Sequence, residues 1–461
     1  MSTDQAAALP FALLWVGAIA IWSASRVIRP DGRTWSALAA AVALAAGTAT
    51  LVWGGADSAL GGTLRRDGAA TFVTVLITMC GCGTLLLHVG TVPRGSTRSG
   101  EAAALCLLSI SGAMLVAGAV DLVVAFVGME LMALPLYALS GLVRDAHRPH
   151  AAALTQHVAG GVASAVFAYG IALVYAGTGS TALGALGQSD APSALAGTAL
   201  VIVGLGVRAA LVPFHVWAPD AMVAAPPHAS AFIASVPKVA VFALLLRASG
   251  ALDDPAAGLD WRASLALMAA TTILVAELSA LRQTSLRRLL AYGAVSQAGY
   301  LAIAGATGVG ASAATLFALV VFAALNIGAF GAVSRIASDA PTTDDLGGLV
   351  RRHPLFAATS IVLLLGLAGL PPTGGFIAKV VIFEAATRSQ LAWLVILGAA
   401  MSAVAAATYL RVIFACFAEG EGAPVHRTSV SSVVVAMAAV VVLVLGVMPG
   451  PLLDAVRDLQ F

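Results

Sequence analysis

Lys238 and Lys379 are the only lysines among the 24 basic residues of this 461-residue chain, and both fall inside apolar runs. Every charged connection between those runs uses arginine instead. The contrast has a chemical meaning. Arginine keeps its proton above about pH 12 in any protein environment, whereas a buried lysine can lose it near neutrality. A charge near the middle of a membrane helix costs about 2.5–3.5 kcal/mol on insertion scales, so it is paired, wetted or functional. Snorkelling or a structural ion pair is the bland alternative. It suits Lys379 less, because that residue follows closely on a Pro-Pro-Thr-Gly-Gly break and should sit deep. Pro237, directly before Lys238, lacks an N–H and therefore frees the carbonyl of Ile233, a place where water can be held.

The carboxylates and imidazoles add to this pattern. Glu130 stands mid-run in D-L-V-V-A-F-V-G-M-E-L-M-A-L-P-L-Y, with Arg208 as the obvious partner that would favour its ionised form. His157 and His215 either relay protons or make structural hydrogen bonds. Glu277 and Glu384 lie nearer the ends of their runs and are expected to be solvated or paired. Asn326 is expected to pack or to bind water.

These side chains need a frame, and composition supplies it. The chain is 60% hydrophobic and 10% charged, far from the soluble balance of about 45–50% apolar and 25% charged. An all-α polytopic membrane protein follows, with fourteen transmembrane helices expected over 8–25, 34–53, 69–90, 101–119, 121–143, 150–177, 193–217, 226–248, 261–281, 286–307, 310–336, 355–388, 391–416 and 429–450. The first is read as a helix rather than a secretory signal because its leader, M-S-T-D-Q, is acidic. The twelfth, at about 50 Å if straight, is too long for a core of about 30 Å and carries L-P-P-T-G-G-F in its middle. The seventh carries G-L-G and then V-P-F-H-V-W-A-P-D. Broken backbone at membrane depth is tolerated only inside protein or beside a polar cavity.

The two breaks are five helices apart. This suggests two five-helix repeats, helices four to eight and nine to thirteen, the second inverted because each contains an odd number of crossings. The whole chain, 1–461, is then one membrane domain: 1–100 with three leading helices, 101–248 and 261–416 as the repeats, and 429–461 as the last helix and tail. Arg26, Arg29, Arg33, Arg94, Arg98, Arg144, Arg148, Arg282, Arg287, Arg288, Arg335, Arg351 and Arg352 gather after odd-numbered helices, which puts those connections in the cytoplasm and both termini outside. Cys80, Cys82, Cys106 and Cys416 show no cluster or zinc spacing, and there is no G-x-G-x-x-G after a strand and no Walker motif. No bound cofactor, metal or nucleic acid is expected for this chain.

The runs G-L-G-V-R-A-A-L-V-P-F-H-V-W-A-P-D, A-P-P-H-A-S-A-F-I-A-S-V-P-K, L-R-Q-T-S-L-R-R-L-L-A-Y-G-A-V-S-Q-A-G-Y and L-A-G-L-P-P-T-G-G-F-I-A-K resemble the antiporter-like membrane subunits of proton-translocating NADH:quinone oxidoreductase, complex I, and among them the bacterial subunit N family. The likeness spans helices four to thirteen. It implies a fourteen-helix subunit with two inverted repeats and a proton path built from a helix-five glutamate and lysines of helices seven, eight and twelve. Glu130, Lys238 and Lys379 match three of these positions; Arg208 stands where the helix-seven lysine would be, and Gln297 where subunit N commonly has histidine. The resemblance further implies a subunit of a translocase in a bacterial cell membrane, with other membrane-arm subunits, the lipid bilayer and protons as partners, and with FMN, iron–sulfur clusters and quinone in partner subunits. Related modules of multisubunit cation/proton antiporters or membrane-bound hydrogenases, and a non-pumping scaffold paralogue, are the alternatives.

Overall fold

The structure, a computed structural model, describes residues 3–28, 31–52, 58–92, 98–142, 147–252, 260–338, 340–426 and 429–459. Arg29, Arg94 and Arg144 of the basic connections lie outside these residues. The described chain is helical apart from one two-stranded ribbon, Ser58–Ala59 paired antiparallel with Leu64–Arg65. Three leading helices, α1 (Thr3–Val27), α2 (Gly32–Val52) and α3 (Gly68–Thr91), precede α4 (Ser99–Gly118), α5 (Leu122–Gly141), α6 (His147–Thr178), α7 (Pro192–Ala209), α8 (Trp217–Ala224) and α9 (Pro227–Leu252). Then come α10 (Trp261–Leu281), α11 (Leu286–Ala306), α12 (Ser312–Val333), α13 (Leu349–Arg352), α14 (Pro354–Ala368), α15 (Gly374–Arg388), α16 (Ala392–Phe417), α17 (Ser429–Val447) and α18 (Gly450–Arg457).

Thirteen described helices are long and apolar enough to cross a bilayer. The expected twelfth crossing is instead two 15-residue pieces, α14 and α15. Each reaches only about 22 Å at 1.5 Å per residue, so the pair makes the fourteenth crossing together.

Both breaks use the same chain-reversing device. At the end of α7, Ala210 adopts a left-handed conformation (φ 60°), and the N–H of Leu211 reaches back to the Gly206 carbonyl at 2.9 Å. At the end of α14, Gly369 does the same (φ 75°), with the N–H of Leu370 bonded to the Leu365 carbonyl at 3.0 Å. These are Schellman closures, which satisfy the last carbonyls of a helix that stops inside apolar surroundings. They fall in the fourth helix of each five-helix unit, α4–α9 and α10–α16, as the inverted-repeat architecture requires.

Burial sorts the helices. Every residue in the apolar window of α9 is buried, against 33% in α6, whose Leu154, Val158, Val162, Tyr169 and Tyr175 are exposed. With no water in a bilayer core, the exposed apolar faces of α1, α6, α16 and α17 suit lipid. The central trio α9, α11 and α12 packs against itself and its neighbours. A side chain on α9 has nowhere to snorkel. Outside the bilayer-crossing stretches, Asp67 caps α3 through the Ala70 N–H (2.7 Å) and pairs with Arg247 at the far end of α9 (2.8 Å). Burial opposes ionisation of Asp67, but the hydrogen bonds and charge of Arg247, with help from Ala70 and Arg65, hold its pKa below the ordinary carboxylate value.

Candidate functional site

The first unit assembles a compact polar knot. Glu130 projects from the middle of α5 and Arg208 from the last turn of α7, and the two form a direct ion pair. Ser164 of α6 donates to Glu130 as well. The guanidinium also donates to Ser164 Oγ at 2.6 Å and to the Tyr137 hydroxyl at 2.8 Å. Arg208 is thus fixed by three neighbours on two other helices, a use of its planar fork that a lysine ammonium would reproduce only in part. The Tyr137 hydroxyl occupies the space beside Gly160 that a Cβ would fill. His157 touches this knot edge-on, its ring centroid 5.3 Å from that of Tyr137.

A cavity of about 30 Å³, room enough for water, is lined by Tyr137, Gln156, Gly160, Arg208, Ile233 and Pro237. It leads from the knot to α9 at the point where Pro237 leaves the Ile233 carbonyl without its helical donor. Lys238 follows. It is buried, and its ammonium donates to the backbone carbonyl of Ala294 in α11.

From there α11 acts as the spine. Gln297 accepts from Asn326 Nδ2 of α12 at 2.7 Å, and the same amide group reaches the Ala234 carbonyl of α9 at 3.2 Å. Ser296 donates to Glu277 of α10 at 2.5 Å. Tyr300 presents its ring to Lys379, whose Nζ lies 4.7 Å from the ring centroid, and donates its hydroxyl to the Gly398 carbonyl at 3.0 Å. Lys379 Nζ donates to the Ala368 carbonyl at the broken end of α14, 3.2 Å away. A cation over an aromatic face is attracted by the ring quadrupole. Gly369 makes this possible: a Cβ there would stand 2.8 Å from Nζ.

The residues singled out from sequence therefore fall into one row: Glu130 and Arg208, then Lys238, then Gln297 with Asn326, then Lys379. His215 stays half-buried in the α7–α8 break, with its Nδ1 buried and unpartnered, and joins no hydrogen bond of the row. Glu384 is exposed and paired with Arg388 at 2.6 Å, as its position near a helix end suggested. Glu277 corrects the expectation for it. It is 3% exposed rather than solvated, because α10 packs along α11 and carries the glutamate into the protein.

Sequence reasoning also missed Ser164, Tyr137, Ser296 and Tyr300, whose roles come from partners on other helices. His88 and His228 were likewise unremarked, yet their rings stack with centroids 4.0 Å apart, and Ser36 Oγ lies 2.9 Å from His88 Nδ1. Cys80, Cys106 and Cys416 are buried and all four cysteines are free. No group of three or more His, Cys, Asp or Glu able to hold a metal occurs among the described residues.

Residues 119–405 match the family model described as NADH:quinone oxidoreductase/Mrp antiporter, TM. The chain is 36% identical over 435 residues to NADH-quinone oxidoreductase subunit N 1 of Solibacter usitatus, covering 90% of this chain and 88% of that protein. It is 34% identical to NADH-quinone oxidoreductase subunit N of Deinococcus radiodurans, covering 96% and 94%. Among solved structures, a chain of respiratory complex I from Thermus thermophilus with bound aureothin matches with a TM-score of 0.85 at 33% identity, covering 96% of this chain and 98% of that one. A chain of the membrane-bound sulfane sulfur reductase, an archaeal respiratory membrane complex, matches with a TM-score of 0.87 at 25% identity, covering 98% and 96%.

Proposed function

The chain belongs to the NADH:quinone oxidoreductase/Mrp antiporter transmembrane family, and on that premise we propose that it is the subunit N type of proton-translocating subunit of an NADH:quinone oxidoreductase. The observation that carries this reading is the row of ionisable and polar side chains running from the half-buried Glu130–Arg208 pair to the buried Lys238, Gln297, Asn326 and Lys379. Such groups are costly in a membrane protein and mark ion pathways.

Glu130 and Arg208 act as the electrostatic input, since an ion pair can respond to charge in a neighbouring subunit by changing its hold. Lys238 is the central proton carrier, reached through the water-sized cavity beside Pro237. Lys379 is the carrier toward the exit side. Arginine at 208 modulates the glutamate without itself releasing a proton. Electron transfer belongs to partner chains of the membrane-bound complex, which hold FMN, iron–sulfur clusters and quinone. The repeats span 101–248 and 261–416. The likeness to the bacterial subunits supports a bacterial cell membrane as its location, and the arginine-rich connections support both termini outside.

The test uses the whole complex in sealed vesicles. Lys238→Ala and Lys379→Ala each leave assembly intact and cut the protons moved per NADH oxidised. Unchanged proton yield in both variants would reduce the subunit to a scaffold. The similarity to the sulfane sulfur reductase chain keeps a second reading in view, a module of a different respiratory complex. Neighbouring genes for NADH-oxidising and quinone-site subunits separate the two.

A further inference from the structure

Glu277 is the one buried carboxylate among the described residues of the second unit, and the proton path described so far does not use it. It sits in the last turn but one of α10, close enough to the helix end to reach water, yet is only 3% exposed. One oxygen accepts from Ser296 Oγ at 2.5 Å. The other, Oε2, is buried with no hydrogen-bond partner. Its electrostatic neighbours are Lys379, Tyr300 and Tyr409, yet no ion pair joins Glu277 to Lys379 among the described residues. Lys379 instead spends its hydrogen bond on the Ala368 carbonyl and its charge on the Tyr300 ring.

This is a poor arrangement for a strut. A glutamate kept only to tie α10 to α11 through Ser296 would hold a buried, costly charge for a bond that glutamine makes as well. A free acceptor oxygen beside a lysine that is near but unpaired is the arrangement that a mobile proton needs. Ser296 also adjoins Gln297, whose amide bridges through Asn326 to α9, the helix of Lys238. Gln297 itself carries no proton.

We propose that Glu277 is a proton-carrying residue of the path, exchanging a proton with Lys379 across the α10–α11–α15 junction and filling the gap that the non-titrating Gln297 leaves between Lys238 and Lys379. The inference rests on the pump reading above. In the exchange an N–H bond of the Lys379 ammonium breaks and an O–H bond forms on Oε2 of Glu277. Ammonium and carboxylate become amine and carboxylic acid, one proton moves, and the summed charge of the two groups stays zero. An ionised Glu277 supports the charged lysine. A protonated Glu277 withdraws that support and leaves the amine neutral until the next proton arrives. The Tyr300 ring keeps Lys379 at hand without neutralising it.

The experiment compares Glu277→Gln, Glu277→Asp and Glu277→His in the assembled complex in sealed vesicles, with Lys379→Ala measured alongside. Glutamine preserves shape and the Ser296 hydrogen bond but cannot titrate. Proton uptake in Glu277→Gln falls by about 10-fold, less than the roughly 100-fold of losing a primary acid–base group, while aspartate and histidine restore a substantial part. Wild-type pumping in Glu277→Gln together with loss in Lys379→Ala overturns the inference and leaves the pump reading standing. Wild-type pumping in both variants sinks the pump reading itself. Equal losses in all three Glu277 variants, with correct assembly, assign Glu277 a shape-dependent role and also overturn the proposal.

Discussion

The two units hold their charges differently. In the first, Glu130 and Arg208 are in contact, and Ser164 and Tyr137 take up the rest of the guanidinium's donors. In the second, Glu277 and Lys379 are neighbours that do not touch, each held by something neutral: a serine hydroxyl for the acid, a carbonyl and an aromatic ring for the base. A contact pair built on arginine is a fixed electrostatic element that can be loosened but does not give up its proton. A spaced pair built on lysine has two nearly neutral resting options, ionised or proton-shared. On the proposed reading the contact pair senses charge and the spaced pair moves a proton, with Lys238 of the first unit carrying the proton between them.

Removing the base from the spaced pair should have the largest effect. Lys379→Met keeps the volume and the contact with Tyr300 but loses the proton, and proton uptake is expected to fall by about 100-fold, at the lower bound for a positioned acid–base group. Normal uptake would erase the distinction between the units. Removing the arginine from the contact pair acts on stability as well. Arg208→Ala leaves a partly buried carboxylate unpaired, a loss of about 2–3 kcal/mol when the 3–5 kcal/mol of a fully buried pair is discounted because a quarter of the Glu130 side chain is exposed. Reduced thermal stability of the subunit in detergent reads this directly.

The matched caps offer a sharper comparison. Ala210 bears the left-handed conformation in the first break, so Gly369→Ala in the second adds a comparable backbone strain and, beyond it, fills the space beside Lys379. Its new Cβ would crowd Nζ, and proton uptake drops by about 10-fold, whereas Ala210→Gly costs or gains less than about 1 kcal/mol and leaves uptake alone. Equal effects of the two changes would mean that the caps, not the lysine, set the rate. Arg208→Lys is expected to lower uptake by about threefold at most, because the ammonium still compensates Glu130 but loses one of the bonds to Ser164 or Tyr137. Complete loss would give the guanidinium a role beyond charge.

The smallest effect lies outside the row. The Asp67 pKa is lowered in the folded chain, so its pairing with Arg247 contributes stability that is present above the unfolded carboxylate value of about 3.9 and is lost as pH falls below it. Asp67→Asn lowers thermal stability by about 1 kcal/mol at neutral pH, matters progressively less as pH falls through the lowered folded value, and leaves proton yield unchanged. A change in proton yield would tie this peripheral pair to the path.

Much of this was legible in the residues alone. The fourteen crossings, the two breaks at their five-helix spacing, and Lys238, Lys379, Glu130 and Arg208 all announced themselves, because a charge or a Pro-Gly pair in an apolar run is a large local signal. Ser164, Tyr137 and Tyr300 gave no such signal. Each is unremarkable in its own helix and acquires a role only from the helix it faces. Glu277 was misjudged because distance from a helix end measures depth along one axis and says nothing of what covers the side.

The sequence by itself determined that this chain lives in a membrane, where its helices break, and that its only two lysines fall inside apolar runs. These follow from composition and covalent chemistry, which act residue by residue. Only the tertiary structure decided that α9 is wholly enclosed, that α11 carries the row between Lys238 and Lys379, and that one acid touches its base while the other does not. Those outcomes depend on which helices pack together and which way each is turned, and in a bundle apolar on nearly every face that choice is made by packing between distant segments.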